Sequence, residues 1–433
     1  MDWKKIYKER IKSADEAVSC IKSGDRIVAG HATGSPEVLL EALTRNSQGL
    51  EDVEIVHMVS MGESIYCLPE YEGIFRHRSL FAGPKTRKLL AEGKGDYTPC
   101  HFSEIPLLFR NEVLPVDAAL ITVSPPDKSG YVSLGVSVDY TMEAALKAKT
   151  VIAEVTSQMP ATCGYSFLHV SQIDHFVESD GPIIELAPPK IGDIEKAIGE
   201  NVAKLIKDGD CLQLGIGAIP DATLTFLTEK KDLGIHSEMV SDGVMHLVEK
   251  GVINGRKKNF HPGKIVICFA MGSKKFYQWL DNNSMIEMYP VDYSNDPFLI
   301  AKNDNMVSIN SAISVDLLGQ VAADTLGSVQ FSGVGGQVDF VRGAKLSKGG
   351  RSIIALPSTA AKGTKSRIVS ALEPGQAVTT SRNDVDYIVT EFGIAHLGGH
   401  SVRERANALI KVAHPDFREG LEKEFEKLFY KLN

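Results

Sequence analysis

The chain reads as two tandem, similar open α/β domains, with mostly parallel sheets flanked by helices. Three observations predict this. The length of 433 residues exceeds one ordinary core and suggests two or three domains. The chain also repeats itself: IKSGDRIVAGHATGSPEVLLEALT from Ile21 returns as IKDGDCLQLGIGAIPDATLTFLT from Ile206, with five identities in the first twelve positions. Finally, short apolar, β-branched runs alternate with helical patterns, as a parallel sheet covered on both faces requires.

The elements follow in order. MDWKKIYKERIKSADEAV predicts one charged amphipathic helix with no apolar signal-peptide core. In each copy a helix is expected to end at Lys-x-Gly-Asp, with Gly24 or Gly209 as its C-cap. A strand follows (RIVAG or CLQLG), then a glycine loop and a helix with Pro36 or Pro220 near its first turn. The next strand is VEIVHMVS or GIHSEMVS. DAALITVS, TVIAEVTS, KIVICFAM, SIIALP and VDYIVTEFG supply further strands. Pro- and Gly-rich VESDGPIIELAPPK places a boundary near residue 190, giving domains 1–190 and 191–433. The C-terminal segment to Asn433 reads as helices broken at His414-Pro415.

Composition removes several function classes. Net charge is -8 with no basic stripe, which argues against a nucleic-acid partner. No apolar run approaches the roughly 20 residues of a membrane span. Six scattered cysteines form no CxxC pair and are expected to be buried free thiols of a cytoplasmic protein. No histidine spacing suggests a metal, and the P-loop and GxSxG signatures are missing.

Four stretches could carry chemistry. LGIGAIPDA (214–222) is strand, glycine turn and helix start, where backbone N–H groups and the helix dipole suit an oxyanion or phosphate. Its G-x-G-x-x-P spacing departs from the dinucleotide fingerprint, and tight-turn geometry would equally explain the glycines. FSGVGGQVDFVRG (331–343) has three glycines in four positions; Gln337 and Asp339 alternate with apolar neighbours, so a strand is expected to start there. A hairpin or bulge is the alternative to a ligand contact. SPPDKSGYVSLGVSVDYTM (124–142) is a long structured loop, a lid or an interdomain contact. In GIHSEMVSDG, Glu238 falls on His57 when EMVSDG is set over HMVSMG. It is either a helix-capping carboxylate or a general base or nucleophile beside an anion-binding loop.

Together QLGIGAIPDA, GIHSEMVSDG, FSGVGGQVDFVRGA, AVTTSRNDVDYIVTEFGIAHLGG and ERANALIKVAHPDF resemble the acetyl-CoA hydrolase/transferase branch of the class I CoA-transferases, over nearly the full length. The resemblance implies the CoA-transferase fold with its active site in the interdomain cleft. It implies that Glu238 is the catalytic glutamate, becoming a glutamyl-CoA thioester. Gly215, Ile216, Gly217, Ala218 and Ile219 would form a CoA-binding and oxyanion loop. Gly335 and Gly336 would approach the thioester, and Asn310 would be a polar contact. Glu391 would be structural, and the loop around His31 would shape the acceptor pocket with the SPPD segment. The implied activity moves CoA between acetyl-CoA or butyryl-CoA and a short-chain carboxylate such as 4-hydroxybutyrate, by a ping-pong route. CoA is then a substrate and transient covalent adduct, with no prosthetic group or metal. The enzyme would be a cytoplasmic homodimer or larger homo-oligomer, without membrane or nucleic-acid partners. Two other readings stay open: an acyl-CoA hydrolase of the same fold, and a CoA- or anion-binding regulatory protein.

Overall fold

The computed structural model describes residues 2–429. Met1 and the last four residues of the predicted C-terminal helix, 430–433, lie outside it. The chain divides into two compact units, Met1–Ala187 with Val266–Ser294, and Pro188–Ile265 with Asn295–Asn433. A cut near residue 190 therefore differs from the structure by one segment, since 266–294 returns to the first unit. There the Phe269 ring packs edge-on against His31 at 4.7 Å, and the Ala270 carbonyl accepts from the Thr33 hydroxyl at 3.0 Å.

The first unit opens with two helices rather than one, α1 (Trp3–Arg10) and α2 (Ala14–Val18). Ser13 divides them: its hydroxyl caps α2 while the Glu16 side chain reaches back to the Ser13 N–H, a reciprocal capping box. Next come β1 (Arg26–Ala29), α3 (Glu37–Arg45), β2 (Val53–His57), β3 (Phe75–Ser79), β4 (Asp96–Tyr97), β5 (Ala118–Val123), β6 (Thr150–Thr156) and β7 (His175–Ser179). They form one parallel sheet, ordered β7-β6-β5-β1-β2-β3-β4. Within 124–142 the Asp127 carboxylate accepts from the Ser129 and Tyr131 N–H groups, and the residues from Val132 onward are buried.

The second unit contains α4 (Asp193–Ala203), β8 (Cys211–Leu214), α5 (Ala218–Thr225), β9 (Gly234–His236), β10 (Met239–Val240), α6 (Asp242–Glu249), α7 (Pro297–Ile300), β11 (Met306–Ser311), α8 (Gln337–Leu346), β12 (Arg351–Ala355), β13 (Tyr387–Thr390), β14 (Gly393–His396), α9 (Val402–Val412) and α10 (Pro415–Phe429). Six strands of its sheet run β14-β13-β12-β11-β8-β9, parallel except for the β13–β14 hairpin. The order β7-β6-β5-β1-β2 in the first unit thus recurs as β13-β12-β11-β8-β9 in the second. The duplication read from sequence is a duplication of topology.

The repeated Lys-x-Gly-Asp is a turn, not a helix C-cap as expected, because α2 and α4 end several residues earlier. Gly24 and Gly209 take φ of +80° and +81°. In both copies the aspartate carboxylate accepts from the lysine N–H that opens the turn (Lys22 to Asp25 2.8 Å, Lys207 to Asp210 2.6 Å). The segment at Gln337 corrects a second expectation: it is helix α8, not strand. Gln337 and Asp339 are buried with Val338, Phe340 and Val341, so a two-residue alternation on paper has no exposed face behind it. The cysteines are free, but only Cys211 and Cys268 are buried, and Cys20 is exposed. Among the described residues no helix is long and apolar enough to cross a membrane.

The core of the first unit holds two buried histidines on neighbouring strands. Burial pulls His57 down to about 3, aided by the nearby rings of His77 and His31, and pulls His77 down to about 4. Protons then bind the unfolded chain first. Stability is complete above pH 6.5 and falls as pH drops toward 4, by up to about 1.4 kcal/mol per pH unit for each ring. Urea denaturation at a series of pH values is expected to show a shallower acid loss in His77→Leu than in the parent.

Candidate active site

In the second unit the chain runs from β8 through α5 to β9 on one side, and β11 pairs on the other side of β8. This reversal opens a crevice beyond the carboxyl ends of the strands, where ligands of open α/β sheets sit. The glycine loop leaves β8 there, Glu238 follows β9, and Asn310 lies near the end of β11.

The strand carrying Glu238 breaks. GIHSEMVS was expected as one strand, yet β9 stops at His236 and β10 starts at Met239. The buried Ser237 hydroxyl lies between the backbone groups of Leu214, accepting from its N–H at 3.3 Å and donating to its C=O at 3.1 Å. A side chain thus takes over where the ladder ends, and it ties the residue before Glu238 to the residue before Gly215. Register also corrects the alignment of the two copies. Ile27 pairs with Ile55 and Leu212 with Ile235, which sets His57 against Ser237 and Met58 against Glu238. Met239 matches Met58 only after one residue is inserted, and the insertion falls at this break.

The Glu238 carboxylate is half-buried and held on one side by Asn295, whose Nδ2 donates to Oε2 at 2.9 Å. Gly336 lies on another. A Cβ on Gly336 would stand 2.1 Å from Glu238 Oε2 and 2.4 Å from Asn295 Nδ2. The φ of Gly336 is -92°, so its backbone would accept any residue; glycine is needed for clearance alone. Gly335 differs, since its φ of +55° is left-handed. The structure therefore brings Glu238, Asn295 and Gly336 together.

The 215–219 loop is placed by its flanks. Gly199 on α4 lets that helix cross α5 closely, since a Cβ there would meet the Ala222 and Thr223 backbone at 2.8 Å. Gly217 has φ of +121° and precedes Ala218 and the buried Ile219 at the start of α5; Ile216 is exposed at the tip. A Cβ on Gly215 or Gly217 would meet nothing within 4 Å. Asp221, in the first turn of α5, is pushed up to about 6 by burial and then by the Asp242 carboxylate. Asn310 exchanges two side-chain hydrogen bonds with the buried Gln213, at 3.1 and 3.3 Å, bracing β11 to β8. Glu391 is engaged elsewhere, accepting from the Ser358 N–H at 2.9 Å and hydroxyl at 2.6 Å. In the first unit His31 is buried, with Nδ1 3.1 Å from Asp139 Oδ2. No cluster of three potential metal ligands occurs among the described residues.

Two family models match the chain, the acetyl-CoA hydrolase/transferase N-terminal domain over residues 1–188 and the C-terminal domain over 272–425; the segment 189–271, with Glu238, lies between the two matches. The chain belongs to the acetyl-CoA hydrolase/transferase family. It is 59% identical to a 4-hydroxybutyrate coenzyme A transferase of Clostridium kluyveri, across 99% of this chain and 100% of that one. A crystal structure of 4-hydroxybutyrate CoA-transferase from Porphyromonas gingivalis matches with a TM-score of 0.86 and 47% identity, covering 99% and 100% of the two chains. RipA from Yersinia pestis matches at 0.94 and 38%, covering 99% of each. Members of this family carry hydrolase or transferase names, so the chemistry of this site must be argued from its own residues.

Sequence reading missed Asn295, Ser237 and Gln213. Asn295 stands in SNDPF, where only the Asp296-Pro297 cap of α7 gives a local signal. The clearance at Gly336 predicts that Gly336→Ala folds but displaces the Glu238 carboxylate. Circular dichroism is expected to stay close to the parent's, while turnover falls about 100-fold or more, the order of cost of a 1 Å misplacement.

Proposed function

We propose that the protein is a CoA-transferase that moves CoA between an acyl-CoA and a short-chain carboxylate, through a glutamyl-CoA thioester on Glu238. The observation that carries this reading is a carboxylate fixed by Asn295 at 2.9 Å against the backbone at Gly336. A carboxylate kept only for capping would not need a glycine cleared beneath it. 4-Hydroxybutyrate is named in the relatives at 59% and 47% identity, and it is the first acceptor to test.

In this mechanism a Glu238 carboxylate oxygen attacks the acyl-CoA carbonyl and CoA thiolate leaves, giving a mixed anhydride. The thiolate attacks the glutamyl carbonyl, the acyl carboxylate departs, and the glutamyl-CoA thioester remains. An acceptor carboxylate attacks that thioester and expels thiolate, forming a second anhydride. Attack by thiolate on its acyl carbonyl releases the new acyl-CoA and restores Glu238. The anhydride is at least as activated as the thioester, so the bond energy passes to the acceptor; a serine nucleophile would leave a stable ester and favour hydrolysis. Backbone N–H groups at Gly215–Ile219 and Gly335–Gly336 suit the oxyanion of each tetrahedral step, at roughly 2.7–4 kcal/mol of barrier per donor. Open space over Gly215 supports the close approach of a ligand to that backbone.

Acetyl-CoA formation from butyryl-CoA and acetate tests the assignment. Glu238→Gln is expected to lose at least about 10⁴-fold in kcat, as nucleophile removal does elsewhere, with CoA binding retained. Glu238→Asp is expected to lose about 100-fold or more, since one methylene fewer withdraws the carboxylate by about 1 Å. Near-parental turnover in Glu238→Gln would remove Glu238 from the mechanism. CoA release independent of acetate would identify a hydrolase.

A further inference from the structure

Gln337 is the first residue of α8 and follows Gly336 directly. It is buried, and its amide is engaged at both ends. Nε2 donates to the Ser311 carbonyl at 2.7 Å, and Oε1 accepts from the Thr380 hydroxyl at 2.9 Å. The two partners fix the sense of the amide, because a carbonyl can only accept. Both are well anchored. Ser311 ends β11, one residue beyond the Asn310 that is bonded to Gln213. Thr380 is fully buried, and its N–H donates to the Val321 carbonyl at 3.1 Å.

The Gln337 side chain makes neither of its bonds to its own helix. It instead clamps the first turn of α8 between the end of a central strand and a buried threonine. The residue next to the clamp is Gly336, which leaves no room for even a methyl group under Glu238 and Asn295. A shift of α8 by a fraction of an ångström would change that separation.

We propose that Gln337 is a positioning residue for the reaction at Glu238, and that its amide sets the distance of the Gly336 backbone from the carboxylate. The inference rests on Glu238 being the nucleophile. It differs from a purely structural role, in which a satisfied buried amide supports stability alone. In that case loss of Gln337 would lower the melting temperature and leave the kinetics of the folded protein unchanged.

The test uses butyryl-CoA and acetate with the full chain and four variants. Gln337→Leu and Thr380→Val are each expected to lower kcat about 10- to 100-fold, the order of a sub-ångström to ångström misplacement, with the KM for butyryl-CoA within about threefold of the parent. Thr380→Ser keeps the hydroxyl and is expected to restore kcat to within about threefold of the parent. The double variant Gln337→Leu/Thr380→Val is expected to be little worse than either single one, because both break the same clamp. Should Gln337→Leu not fold, the Thr380→Val and Thr380→Ser pair decides alone. Parental kcat in the folded variants, or a Thr380→Ser as slow as Thr380→Val, would overturn the proposal. Parental protein incubated with butyryl-CoA in the same series separates the two claims. If it gains no CoA adduct on Glu238, the nucleophile reading fails. If it gains the adduct and the clamp variants turn over normally, only the role of Gln337 fails.

Discussion

The site is organised by one close approach: a glutamate carboxylate sits where the Cβ of residue 336 would be. A carboxylate cannot be held that tightly unless both sides are fixed. On one side Asn295 donates to Oε2, and the Ser237 hydroxyl locks the preceding residue to Leu214. On the other, the Gln337 amide holds the first turn of α8 between Ser311 and Thr380. Each contact is an ordinary hydrogen bond. Together they convert a flexible side chain into a group with a defined height above a backbone.

The duplicated topology explains why the site lies in the second copy. Both sheets share a strand order, so both offer a crevice where the chain reverses direction around the first strand of the repeat. In the first copy the position registered with Glu238 is Met58, which is buried, and His57 beside it is 3.0 Å from the Tyr66 hydroxyl. That edge is closed by packing. In the second copy one added residue ends the strand early, and the side chain after the break leaves the ladder. A single insertion, with a glycine at 336 that leaves room for the carboxylate, separates a packed sheet end from one that presents Glu238.

Much of this was legible in the sequence. The repeat and the parallel architecture are written in local patterns: glycine at turns and β-branched runs. The same patterns left Glu238 open between a cap and a nucleophile and the glycines open between tight turns and ligand contacts, and only the family resemblance singled them out. What escaped was carried by contacts between residues distant in the chain. Asn295 is 57 positions from the oxygen it donates to. Gln337 and Asp339 suggested a strand because polar alternation implies a solvent face, yet both are buried, and the Gln337 amide is bonded within the fold. Helix α2 begins at a capping box inside what looked like one amphipathic run. Val266–Ser294 leaves one unit for the other, and no shift in composition marks that crossing.

A nucleophilic Glu238 must form a covalent bond to CoA. The intact mass of the protein mixed with butyryl-CoA alone and then with acetate, followed by peptide mapping, reads this bond. A CoA-sized adduct is expected on the peptide containing Glu238, and it is expected to disappear on adding acetate as acetyl-CoA appears. A protein that turns over substrate while Glu238 stays unmodified, including after borohydride trapping, would contradict a nucleophilic Glu238.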